Sequence, residues 1–80
     1  MKKELRRIGA AGHFVNEDRV DGTLAMSRAL GDLGFKDRID LKAEEQAVTS
    51  FPDVTTRPRS PSDDFLVVAC DGIWDCLSNQ

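Results

Sequence analysis

Eighty residues with a net charge of −3, of which 40% are apolar and 31% charged, suit one small domain and argue against wholesale disorder. The charges are spread without a basic block, which speaks against nucleic acid as a partner, and no apolar run approaches the ~20 residues of a membrane-crossing helix. No apolar stretch follows the charged MKKELRR opening, and Cys70 and Cys76 match neither a redox pair nor a zinc-ligand spacing, so the expected setting is intracellular, cytoplasmic and/or nuclear, with both thiols reduced.

The first element expected is a short helix over residues 2–11, with Leu5 and Ile8 on one face and Gly12 placed to end it in a left-handed conformation. A hairpin should follow. Its arms are expected at Phe14-Val15 and at residues 23–26, joined by the polar turn Asn16-Glu17-Asp18. Residues 27–30 read as a helical turn stopped by Gly31, in which Arg28 and Asp32 stand four apart. They either form an ion pair across that turn or support a neighbouring site. The polar stretch 37–46 reads as loop.

Residues 47–50 and 54–56 are short β-branched pieces separated by Phe51-Pro52-Asp53, where the proline excludes a central strand position. RPRSPSDD, residues 57–64, has the composition of a surface connection. Residues 65–69 form the strongest predicted strand: an apolar run without alternation, as expected where both faces are covered.

That run ends on ACDGIWD. With a helix beginning near Gly72, Asp71 falls at its N-cap and Asp75 one turn later on the same side. Two readings stay open. The carboxylates cap and stabilise a helix start, or their hard oxygens converge on Mg2+ or Mn2+, with Gly72 allowing close approach. Trp74, the only tryptophan, reads as packing.

Four segments, RRIGAAGHFV, RVDGTLAMSRALGD, EEQAVTSFPDV and DDFLVVACDGIWD, taken together resemble the second half of the metal-dependent protein serine/threonine phosphatases of the type 2C family, in that family's order and approximate spacing. The resemblance implies an α+β fold, an antiparallel β-sandwich with flanking helices, of which this chain would hold only part. Residues 1–80 would be a fragment of one catalytic domain, with a flap-like segment and the SRALGD motif over about 4–30 and strands with the DGIWD motif over 47–80. It further implies hydrolysis of phosphoserine and phosphothreonine in phosphoprotein substrates at two Mg2+ or Mn2+ ions, with a metal-bound water as nucleophile. Asp71 and Asp75 match metal-binding positions, while Arg28, Gly31, Asp32 and Gly72 match positions around the site.

The sequence also departs from the family. His13, the only histidine, stands where a second glycine is common, and reads as a surface or packing residue or, alternatively, as a proton carrier. The family's DGHGG motif does not occur, so this chain by itself is expected to hold no tight ion pair and to be inactive. The alternative is a catalytically inactive binding or regulatory module. VDGTL and ACDGIWD are also similar to the haloacid dehalogenase superfamily, but that chemistry needs an aspartate nucleophile where this chain has Arg19 and Ala69.

Overall fold

The computed structural model describes residues 1–78. Helix α1 spans Lys2–Ala10 and buries Ile8, while Leu5 stays half exposed. Ala11 and Gly12 close the helix: their N–H groups donate to the carbonyls of Arg7 (3.0 Å) and Gly9 (3.0 Å), and Gly12 takes φ +86°, a value that favours residues without a Cβ. The helix predicted from apolar spacing and a terminal glycine is therefore present.

A two-stranded antiparallel sheet follows, β1 (Val15–Asn16) and β2 (Arg19–Val20), in register Val15 opposite Val20 and Asn16 opposite Arg19. Glu17 and Asp18 form the two-residue turn with φ of 50° and 59°. Two successive left-handed residues match the right-handed twist of the strands, which places the second arm immediately after Asp18 and not at 23–26 as expected. Leu24 instead makes a single bridge back to Val20.

Several expectations fail because tertiary contacts, or their lack, override the local signal. Residues 27–30 are not helical; they run past residue 49, with Ala29 N–H donating to the Thr49 carbonyl (3.1 Å) and Thr49 N–H to that of Ser27 (3.3 Å). Stretches 47–50 and 54–56 are not strands, although Ala47 and Val48 are fully buried and Thr49 nearly so. The apolar run 65–69 is not a strand either, and Phe65, Leu66, Val67 and Val68 are all exposed, because no other segment among the described residues offers its backbone groups a ladder. Residues 33–35 and 43–45, within or beside what reads as loop, form 3₁₀ turns, Leu33–Phe35 and Ala43–Glu45.

The core is small: Ile8, Ala11, Val20, Ala47 and Val48, with Gln46 and Thr49 as buried polar members. Gln46 is satisfied by its own segment, its amide donating to the carbonyls of Arg38 (2.6 Å) and Leu41 (3.1 Å) and accepting from Arg38 N–H (3.2 Å). Every residue from 50 to 78 is exposed. The radius of gyration, 15.9 Å, accordingly exceeds the roughly 11.6 Å of a compact chain this long. The described residues are α+β with one two-stranded sheet and no second sheet facing it. Among them, no helix is long and apolar enough to cross a membrane.

Candidate functional site

Asp71 opens α2, the single turn Asp71–Trp74. The helix begins one residue earlier than expected: Cys70 is the N-cap, with no side-chain capping bond, and Asp71 lies within the first turn. Asp75 closes that turn, its N–H donating to the Asp71 carbonyl at 2.8 Å. Both aspartates and Gly72 are exposed. Trp74 is 46% exposed and is not the packing residue expected, because α2 buries no side chain among the described residues. Asp71 and Asp75 thus share one turn open to solvent, and among the described residues no group of three His, Cys, Asp or Glu side chains is gathered as a metal site would require.

Arg28 lies in a different setting. Its guanidinium does not pair with Asp32, because residues 27–30 are not helical and the side chain is directed to α1. There Nη2 donates to Glu4 Oε1 (2.8 Å) and Nη1 to the Phe51 carbonyl (2.6 Å), and Asp53 Oδ2 stands 3.3 Å from Nη2. Glu4 is the hub of this cluster. It also accepts from Arg7 Nη1 (2.7 Å) and from the Ser27 hydroxyl. The bond from Arg28, followed by that from Arg7, holds the Glu4 carboxyl well below the usual carboxylate range, and Glu4 in turn raises the proton affinity of Arg28.

Arg7, with only a tenth of its side chain exposed, spends its other donors on main-chain oxygens: those of Gln46 (3.0 Å), Ser27 (2.9 Å) and Ala47 (3.3 Å). Beside these groups opens a cleft of about 370 Å³ lined by Lys3, Arg7, Arg28, Glu44, Phe51 and Asp53. Its cations are engaged already. Lys3 pairs with Asp53 at 2.6 Å, and both guanidinium groups face Glu4. The cleft therefore has the character of a structural joint and not of an open anion site. Gly31 and Asp32 turn the chain next to it with φ of 74° and 50°, the glycine meeting the conformation expected of it.

His13 follows the end of α1, with 14% of its side chain exposed. Its Nδ1 is 2.6 Å from Asp21 Oδ2 and its Nε2 is 3.1 Å from Asp37 Oδ1. Its ring centroid stands 5.8 Å from that of Phe35. Asp21 also accepts from Phe14 N–H (3.2 Å). The hydrogen bonds His13 donates to Asp21 and then Asp37 raise the affinity of the imidazole for its second proton and depress both carboxyl groups. With both nitrogens engaged, the ring is part of the packing and not a free proton carrier. Apart from the i,i+3 pair Glu4–Arg7, sequence spacing signals neither this cluster nor the Glu4 hub, since the other partners lie 8 to 24 residues apart.

Asp71 and Asp75 make no side-chain hydrogen bond or ion pair with Arg28 or Asp32 among the described residues; the two parts of the expected site are separate here.

Comparison with known proteins identifies the frame these parts belong to. The family model of protein phosphatase 2C matches residues 1–80. A protein phosphatase 2C homolog 2 of Aspergillus flavus is 57% identical over 77 residues, covering 96% of this chain and 18% of the relative. One of the same name from Schizosaccharomyces pombe is 53% identical over 77 residues, covering 96% and 21%. A probable protein phosphatase 2C 60 of Arabidopsis thaliana is 50% identical over 80 residues, covering 100% and 22%. The chain spans about a fifth of the length of these relatives.

Proposed function

Because the chain belongs to the protein phosphatase 2C family, we propose that it supplies part of a domain that hydrolyses phosphoserine and phosphothreonine in proteins with the help of Mg2+ or Mn2+. The observation that carries this reading is the match over residues 1–80, which takes in all four motif segments in order. Asp71 and Asp75 would contribute carboxylate oxygens, the hard donors such ions take, and their exposure on α2 leaves them free to do so. They fit part of a site only, since no third ligand side chain joins them among the described residues. Bound ions of this kind activate water and offset charge on a phosphoryl group.

The chain's other residues act on position. The Glu4–Arg28 pair fastens the SRALGD segment to α1, and the left-handed turn at Gly31 and Asp32 sets the direction in which that segment leaves. Neither arginine of the cleft is free to grip phosphate. Substrate phosphate would therefore have to be held by groups outside the cleft.

The test is a transplant. The matching 77 residues of the Aspergillus flavus relative are replaced by those of this chain, and Mn2+-dependent phosphate release from a phosphothreonine peptide is measured. Activity is expected to survive the exchange. Asp71→Ala in the chimera is expected to lower it at least about a hundredfold, at or beyond the upper end of what loss of an outer partner of a metal ligand costs. Undiminished turnover of Asp71→Ala would remove this residue from the site.

A further inference from the structure

We propose that His13, Asp21 and Asp37 form a proton-dependent clamp that holds the hairpin Val15–Val20 against the segment following the Leu33–Phe35 turn, closed when the imidazole carries two protons and released when it carries one. The geometry alone carries the first half. A neutral imidazole has one N–H and one lone pair, so it can donate to only one of two carboxylates; a ring with a carboxylate oxygen at 2.6 Å from one nitrogen and at 3.1 Å from the other is satisfied only as imidazolium. Loss of a proton turns one of the two contacts from a charge-assisted hydrogen bond into a lone pair facing an anion.

The two carboxylates belong to different pieces of chain. Asp21 follows β2 and is tied to the hairpin by Phe14 N–H and by its own N–H, which donates to the Phe14 carbonyl at 2.9 Å. Asp37 follows the 3₁₀ turn and is 57% exposed, with no such anchor to the hairpin. Proton loss would therefore free the Asp37 side first and leave the Asp21 side in place. Among the described residues, the charged neighbours that bear on this balance are Asp21 and Asp37 themselves and Arg38, which acts on Asp37 and is held by Asp40 at 2.7 Å. Phe35 offers the ring an apolar face. From α1 the contact to this residue is main-chain, His13 N–H donating to the Ile8 carbonyl at 3.1 Å.

The direction of the shift supports this geometry: the carboxylates raise His13 above its ordinary value of 6.5. A group whose folded affinity for a proton is raised stabilises the fold fully below its unfolded value and loses that contribution as pH climbs through the folded one. The clamp thus holds fully below 6.5 and lets the hairpin go as pH climbs through the raised folded value. The inference concerns the conformation of this chain and stands whether or not the phosphatase reading does.

The experiment is an NMR titration of the intact 80-residue chain, following the ring nitrogens of its only histidine, with amide hydrogen exchange read alongside. His13 is expected to titrate above 6.5, Asp37→Asn to lower its midpoint, and Asp21→Asn to lower it further. Exchange at the Lys36 amide, corrected for intrinsic base catalysis, should speed up roughly tenfold across the midpoint, the size expected for losing one charge-assisted hydrogen bond, while that at the Asp21 amide stays unchanged. Asp37→Asn, an exposed and near-isosteric change, should abolish that pH dependence while leaving the helix signal at low pH intact. A His13 midpoint at or below 6.5 in the parent chain overturns the proposal, as does a midpoint indifferent to Asp37→Asn.

Discussion

Glu4 shows how much a single carboxylate can organise in a chain with so small a core. Arg7 from its own helix and Ser27 and Arg28 from a distant segment all donate to it, so α1 and the SRALGD segment share one anion. Removing its charge leaves Arg7 without a carboxylate partner and Arg28 with Asp53 alone. Glu4→Gln is expected to destabilise the chain by about 1–3 kcal/mol, read as a shift in the urea midpoint, because Arg7 is largely buried and cannot recover full hydration. The pH sign follows from the depressed carboxyl: its stabilisation is complete above the ordinary value of 4.5 and is lost as pH falls through the much lower folded value. Wild-type stability should therefore fall on acidification below about 4.5, and that of Glu4→Gln should fall less. None of this is written in residue spacing. Glu4 and Arg7 are visible as an i,i+3 pair, but the partner that matters most, Arg28, lies 24 residues on, and the acceptors of Arg7 are backbone atoms with no sequence signature.

At the level of elements, local signals were legible and non-local ones were not. Helix α1 follows from apolar spacing and from Gly12, both of which act within a turn or two. The hairpin was recognisable from its polar turn, yet its second arm starts earlier because Glu17 and Asp18 both take left-handed φ, a conformation Asp tolerates but Glu does not advertise. That turn carries strain which better-suited residues would relieve. Glu17→Asn together with Asp18→Gly is expected to raise stability by about 1 kcal/mol, measured by thermal unfolding, with the β1–β2 register unchanged. The apolar run 65–69 failed as a strand for the opposite reason. An unbroken apolar stretch records a need for cover on both faces, whereas pairing depends on what other backbone is present to meet it. The same holds for the site: ACDGIWD marked a short helix carrying two aspartates, but not where those aspartates would stand relative to SRALGD.

For the whole molecule, the division of labour is uneven. Residues 2–49 hold the buried core, and Lys3 and Arg28 reach out to Asp53 and Phe51; beyond that, the hydrogen bonds of residues 54–78 among the described residues stay within the segment itself. Phe65, Leu66, Val67 and Val68 leave a contiguous apolar surface in water, the kind of surface that drives self-association. Phe65→Asp with Val67→Asp is expected to remove concentration-dependent association in sedimentation velocity. It should leave the unfolding free energy unchanged to within about 0.5 kcal/mol, since neither side chain contributes to the core. A large loss of stability in that double variant would mean that the segment packs after all.

The two free sulfhydryls give this exposed segment a built-in reporter. Cys70 closes the apolar run and Cys76 follows α2, and both lie open to solvent. Any polypeptide that came to shelter the run would screen the first from an alkylating reagent while leaving the second open, so the ratio of their modification rates registers shielding without any substitution in the chain.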